Sequence, residues 1–185
     1  MTVAAVVLAA GGGSRWDGPG HKLLIDLGDR PLAAWAIEAA ATAGLDELVV
    51  VTGAVDLVGL VPPGATLVHN SDWADGQAGS LRVAVSRCRE AGHRSFVVGL
   101  ADMPGVPASA WRAVADAPGQ LATATFDGCR RPPVKVGVDL WEELPITGDQ
   151  GARGLLTAEV WPVVEVACSG RGDDIDTLED LRTWN

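Results

Sequence analysis

The chain has few of the residues that disulfide or zinc chemistry needs. Cys88, Cys129 and Cys168 are odd in number, widely spaced and without a CxxC pair, so neither a disulfide framework nor a cysteine zinc site is expected. A reducing cytoplasm is the simplest setting. His21, His69 and His93 show no HExxH or other short ligand spacing, which removes the common zinc-hydrolase arrangement. No apolar run reaches membrane length. The longest, Val3 to Ala10, is far below the ~20 residues a span requires, and no basic segment precedes it as in a secretory signal. Basic residues are also scarce, 14 against 24 acidic ones, for a net charge of −10. The overall field repels polyanions, so neither nucleic acid nor membrane is an expected partner, and a bound nucleotide must be held by local charge.

What is present is the composition of a packed α/β protein. Hydrophobic residues make up 48% and charged residues 21% of 185 positions, a balance that supports a core, and the length fits a single domain over 1–185. Apolar strands alternate with glycine loops and helical patterns, which points to a mostly parallel sheet. Strands are expected at Val3–Ala10, Glu47–Thr52, Thr66–His69, Phe96–Leu100, Leu121–Thr125, Val134–Val138 and Val163–Val166. Helices are expected from Pro31 to Ala43, at Ser80–Ala91, Pro107–Ala117, Gly151–Ala158 and Leu178–Trp184. Trp35, Trp111 and Trp141 fall in helical patterns where core packing is the default. Pro62-Pro63 and Pro132-Pro133 read as loop punctuation. Ligands of such sheets sit outside the carboxyl ends of strands, so function is sought in the loops after Ala10, Thr52, Asn70 and Leu100.

The first of these loops carries the clearest chemistry. Gly11-Gly12-Gly13-Ser14-Arg15 follows a buried strand directly, so backbone amides can turn inward around phosphate oxygens. Arg15 adds a planar fork of donors and Lys22 a compact charge. A Walker A loop does not fit, because Lys22 lies between His21 and Leu23. A dinucleotide fingerprint does not fit either, because Trp16 stands where the third glycine would be.

The run Leu8-Ala9-Ala10-Gly11 to Arg15 and Lys22 resembles the LAAGxxxR…K signature of the nucleotidyltransferase superfamily related to molybdenum cofactor enzymes. Asn70 to Arg82 resembles its N-x-x-W-x-x-G-x-x-x-S-L motif, and Leu100-Ala101-Asp102-Met103-Pro104 its LADMP. Pro133-Val134, Gly148 to Arg153 and Asp174 to Leu181 resemble its PV, GDxGAR and DIDTPEDL segments, in the same order. Six segments spanning nearly the whole chain are most similar to molybdenum cofactor cytidylyltransferases. That resemblance implies a three-layer, Rossmann-like sheet of the nucleotide-diphospho-sugar transferase type, with one reversed strand. It also implies a reaction in which CTP and molybdopterin give a cytosine dinucleotide cofactor and pyrophosphate.

Nucleotidyl transfer builds negative charge on the α-phosphate and the departing pyrophosphate, so it calls for a hard cation and positioned donors. Asp102, at the end of a strand, is the expected Mg²⁺ ligand, with a plain turn before Pro104 as the bland reading. The resemblance makes Asp176 the second carboxylate, with Asp174 as its alternative; Asp176 or Thr177 is equally suited to cap the last helix. Leu8, Ala10, Gly11, Gly12, Gly13, Ser14, Arg15 and Lys22 form the expected nucleotide site with Asp102, and Arg15, Lys22 and Asp102 its catalytic set. The stretch between Arg15 and Lys22 is longer than usual in the family, so Lys22 is expected to need loop closure. Gly76, Ser80 and Leu81 are expected to reach the nucleoside, against a helix cap at Gly79 or Ser80. Asp149 and Arg153 are expected on the acceptor side, against a capping pair on a short helix. No triad is expected, because a phosphate monoester of second pKa ~6 is already a nucleophile.

Ala10 in LAAG resembles the users of CTP and not the LAGG users of GTP. Two other readings stay open: GTP, or another phosphorylated metabolite such as a sugar phosphate, as substrate; and a nucleotide-binding carrier or regulator without turnover. The resemblance also implies delivery of the product to a molybdenum enzyme.

Overall fold

The computed structural model of the chain describes residues 2–158 and 160–184. The elements run β1 (Val3–Ala9), a two-residue hairpin of β2 (Asp26–Leu27) and β3 (Arg30–Pro31), α1 (Leu32–Thr42), β4 (Glu47–Thr52), β5 (Thr66–His69) and α2 (Gln77–Glu90). They continue with β6 (Ser95–Leu100), α3 (Ala108–Asp116), β7 (Leu121–Phe126), β8 (Cys129–Gly137), α4 (Arg153–Thr157), β9 (Val164–Ala167) and α5 (Leu178–Thr183). Seven strands form one sheet in the order β5-β4-β1-β6-β8-β7-β9. β5, β4, β1 and β6 pair in parallel. β8 is antiparallel to both of its neighbours, and β9 returns parallel to β7. The mostly parallel sheet with one reversed strand is therefore the observed architecture.

β1 is apolar throughout and buried from Ala4 onward, as a strand must be when helices cover both faces of its sheet. Successive side chains alternate between the two layers. Ala5 and Val7 join the core that holds Ile37 of α1 and Trp111 of α3. Val6 and Leu8 join the core that holds Leu81 of α2 and Leu155 of α4. Gly99 admits the buried Trp111, since a Cβ there would lie 2.5 Å from its Cζ2. From β1 the chain crosses to β4 on one side, while β6 occupies the other, so the carboxyl end of β1 is the switch point where such sheets bind ligands.

Three expected elements are corrected. β8 begins at Cys129, and Pro132-Pro133 lie inside it. Thr123 pairs with Val134 while Ala124 pairs with Arg131, so the prolines sit in a bulge that needs no ladder amide. α2 begins at Gln77 with Gly76 as its N-cap, which rules out the cap at Gly79 or Ser80. α4 spans only Arg153–Thr157. Trp111 and Trp141 are buried as expected, whereas Trp35 is half-buried and donates to the Leu27 carbonyl at 3.0 Å.

Candidate nucleotide-binding and catalytic site

The glycine loop is held at the carboxyl edge of the sheet by several anchors. The Leu8 and Ala10 carbonyls accept from the amides of Ala101 and Ala54, each at 3.0 Å. Trp73 lies across Gly12, where a Cβ would come within 2.7 Å of the indole. Gly13 has φ +66°, which a side chain would resist, and a Cβ there would lie 3.3 Å from Lys22 Cγ. Among the described residues, the amides of Gly11, Gly12, Gly13, Ser14 and Arg15 donate to no protein acceptor. A run of unpaired amides at the end of a buried strand has the donors that an anion cradle requires.

The charged side chains converge beside it from three parts of the chain. Lys22 Nζ lies 2.7 Å from Asp102 Oδ2 and 2.6 Å from Asp176 Oδ1. Arg15 Nη2 lies 2.7 Å from Asp176 Oδ2, with its side chain 73% exposed. Burial alone would push the Lys22 pKa down; the charge of Asp102 and the hydrogen bonds to both carboxylates reverse this and hold it above its usual value. Burial likewise opposes ionisation of Asp176, but hydrogen bonding and charge from Lys22 hold its pKa below the ordinary one. Asp174 moves the other way. Burial raises its pKa, with its hydrogen bond to Asp176 and repulsion from Asp176 and Asp102 adding to the shift.

Asp176 does not cap α5, so its carboxylate points to Lys22 and Arg15 instead. Thr177 is the N-cap and forms a capping box with Asp180, which settles the choice between Asp176 and Thr177. Lys22 already stands inside the cavity, so the closure expected of it is not needed for it to enter the site.

The far wall is built by α2. Gly76 and Ser80 line the cavity, and Ser80 Oγ accepts from Asn70 Nδ2 at 3.0 Å. Leu81 does not reach it: its side chain is fully buried in the core behind, one residue of helical rotation away from Ser80, so its expected contact with the nucleoside is withdrawn. Asp149 lines the cavity and accepts from the Gln77 amide at 3.2 Å. It caps α2, not the short helix beside it. Arg153 is exposed at the start of α4 and lies outside the lining, so its expected acceptor role has no support from its position.

The resulting cavity is about 650 Å³, within the ordinary range for small-molecule sites. Four carboxylates, Asp102, Asp149, Asp174 and Asp176, line it against two cations, Arg15 and Lys22. A triphosphate would meet net repulsion there without an added cation. Asp102 Oδ1 is buried and accepts no hydrogen bond, and a hard divalent ion favours such carboxylate oxygens. Among the described residues no three potential ligands are grouped to hold a metal by themselves, so phosphate oxygens would have to complete its shell. On those terms the donor set fits a hard divalent ion.

Trp73, His21 and Asp17 matter here without having been singled out in the sequence as site residues. Trp73 was visible within the N-x-x-W motif, but its contact with Gly12 depends on the fold. Asp17 Oδ1 accepts from the Leu178 amide at 3.1 Å, which ties the long Arg15–Lys22 loop to the segment bearing Asp176.

A switch-point glycine loop facing paired carboxylates defines a nucleotide-handling α/β protein. The MobA-like NTP transferase domain matches residues 5–163, and the chain belongs to that nucleotidyltransferase family. It is 29% identical, over 97% of its own length and 94% of the relative's, to nicotine blue oxidoreductase of Paenarthrobacter nicotinovorans. Among solved structures it is similar to Rv0371c of Mycobacterium tuberculosis H37Rv, with TM-score 0.82, 26% identity and coverage of 99% and 96% of the two chains. The manganese complex of Rv0371c gives TM-score 0.81 at 26% identity, with coverage of 99% and 97%. A Methanothermobacter nucleotidyl transferase gives 0.80 at 25% identity, with coverage of 98% and 95%.

Proposed function

We propose that the chain transfers CMP from CTP to molybdopterin and releases pyrophosphate, acting as a cytoplasmic enzyme of one catalytic unit over 1–185. The observation that carries this reading is the placement of five unpaired amides beside Lys22, Asp102 and Asp176. The phosphate oxygen of the acceptor attacks the α-phosphorus, the bond to the bridging β-phosphate oxygen breaks, and pyrophosphate leaves with the electron pair. Arg15, Lys22 and the amides from Gly11 to Arg15 orient the triphosphate and receive the charge that develops on it. Asp102 and Asp176 would hold Mg²⁺, which supplies neutralisation of the α-phosphate and the departing group. The manganese complex of Rv0371c supports a divalent ion in this fold. CTP is favoured by Ala10, and molybdopterin by the six shared segments, with handover to a molybdenum enzyme as the outlet for product. No helix among the described residues is long and apolar enough to cross a membrane.

A second reading has one specific support, the full-length similarity to a relative named as an oxidoreductase. Gly11-x-Gly13 followed by Trp16 lacks the third glycine of a dinucleotide fingerprint, which counts against it. The deciding experiment measures pyrophosphate release from each nucleoside triphosphate with Mg²⁺ and molybdopterin. Release from CTP is expected. Release from GTP alone would overturn the base assignment, and release only with another phosphorylated acceptor would overturn the acceptor. Binding without release would mark a carrier. Oxidation of a reduced nicotinamide nucleotide by nicotine blue, without any pyrophosphate, would establish the second reading.

A further inference from the structure

His21 stands immediately before Lys22 but outside the cavity lining, and its ring makes two bonds with opposite requirements. Its Nδ1 accepts from the Leu23 amide at 3.3 Å, capping the short turn Lys22–Leu24. An acceptor at Nδ1 leaves the proton of a neutral ring on Nε2. Nε2 lies 3.1 Å from the Gly11 carbonyl, which can only accept. The two contacts therefore select one tautomer, with Nε2–H donating to Gly11.

The bond to Gly11 fixes more than a carbonyl. Across a trans peptide the C=O of one residue and the N–H of the next point in opposite directions, and the Gly11–Gly12 bond is trans. With the Gly11 carbonyl turned to His21, outside the cavity, the Gly12 amide is turned away from His21, and Gly12 is part of the cavity wall. The same ring, through Leu23, fixes the turn from which Lys22 enters the carboxylate pair. One side chain thus couples the orientation of a cradle amide to the placement of the lysine.

We propose that His21 is a positioning residue for triphosphate binding, which as the Nε2–H tautomer sets the Gly11–Gly12 peptide plane and the entry angle of Lys22. This rests on the nucleotidyltransferase reading above, yet it adds a residue that touches no substrate. Burial lowers the ring's pKa, and the charge of Lys22 lowers it further against the hydrogen bond to Gly11. That keeps the ring in the neutral form both bonds need.

The two bonds can be separated by substitution. In His21→Asn the side-chain oxygen can replace Nδ1 as acceptor for Leu23 but does not reach Gly11; in His21→Gln the amide N–H can replace Nε2 as donor to Gly11. CTP and GTP, each with Mg²⁺, are titrated calorimetrically into the full chain and both variants. His21→Asn is expected to weaken every triphosphate that binds the wild type by about tenfold, the scale of one lost hydrogen bond. His21→Gln is expected to stay within about threefold of wild type, and both variants to melt within about 2 °C of it. Tight binding by His21→Asn, or equal loss in both variants, overturns the proposal. Nitrogen-15 shifts of His21 in the ligand-free chain give an independent check: protonated Nε2 with bare Nδ1 is expected, and the reverse overturns it. If the wild type binds no triphosphate, the functional reading fails and this inference falls with it, while the tautomer measurement still shows whether the local geometry holds.

Discussion

Two clusters of charge lie at opposite ends of the parallel strands, and they are completed differently. At the amino end, Glu47 accepts from Thr66 at 2.5 Å, from Arg87 at 2.9 and 2.7 Å, and from His93 at 2.8 Å. Both of its oxygens are used, and only His93 Nδ1 is left without a partner. At the carboxyl end, Lys22 is shared between two carboxylates, Asp102 Oδ1 accepts nothing, and five loop amides are open. A network whose carboxylate is fully engaged spends its hydrogen bonds on holding strands together. An unsaturated one keeps strong donors and acceptors for something absent, which is what a binding site requires.

If that contrast is right, damage at the two ends will separate activity from stability. Asp102→Asn should cut pyrophosphate release by about a thousandfold, the loss typical of removing a central electrostatic group, while leaving Tm nearly unchanged. A comparable loss of Tm would break the contrast. Lys22→Met should lower release by about a hundredfold. It should also tighten Mn²⁺ binding to the nucleotide-free chain, read by electron paramagnetic resonance, because Asp102 and Asp176 then face each other without the ammonium that bridges them; weaker binding would mean the pair is not a metal site. Gly12→Ala would press a methyl group into Trp73, and about a tenfold rise in KM for the triphosphate is expected from a displaced cradle.

Glu47→Ala should do the reverse. It strands Arg87 and His93, so Tm should fall by about 5 °C, what about 2 kcal/mol gives in a chain of this size, with KM unaltered. The smallest effect concerns acid. Burial opposes ionisation of Glu47, but the hydrogen bonds from Thr66, His93 and Arg87 hold its pKa below the ordinary 4.5. A depressed carboxyl pKa contributes stability that is present above 4.5 and lost as pH falls through the lower folded-state value. Glu47→Gln should therefore flatten the fall in Tm below pH 4.5. An unchanged acid limb would assign that fall to other carboxylates.

The periodic elements were legible because their signals are local. Glu47–Thr52 and Thr66–His69 have the bounds their apolar runs predict, and α3 lies one residue inside its expected limits at each end. Pro132-Pro133 misled because a proline pair looks like a break until the partner strand supplies a bulge. Leu81 misled because a motif names neighbours without saying which way a helix turns them: Ser80 faces the cavity and Leu81 the core. Arg153 was drawn in by its motif and left outside by a helix that begins there. The role of His21 depends on a carbonyl ten residues away, which no spacing rule contains.

By itself the sequence determined the alternation of strands and helices, the glycine loop at the end of a buried strand, and the residue types a phosphate site needs. These follow from hydrophobic period and backbone freedom, which act over a few residues. The tertiary structure alone decided that Lys22, Asp102 and Asp176, separated by 80 and 154 positions from the lysine, meet within hydrogen-bonding distance. It also decided that Thr177, not Asp176, caps α5, so that Asp176 pairs with Lys22 and Arg15. Electrostatic contact depends on distance in space, and only the folded sheet converts sequence order into that distance.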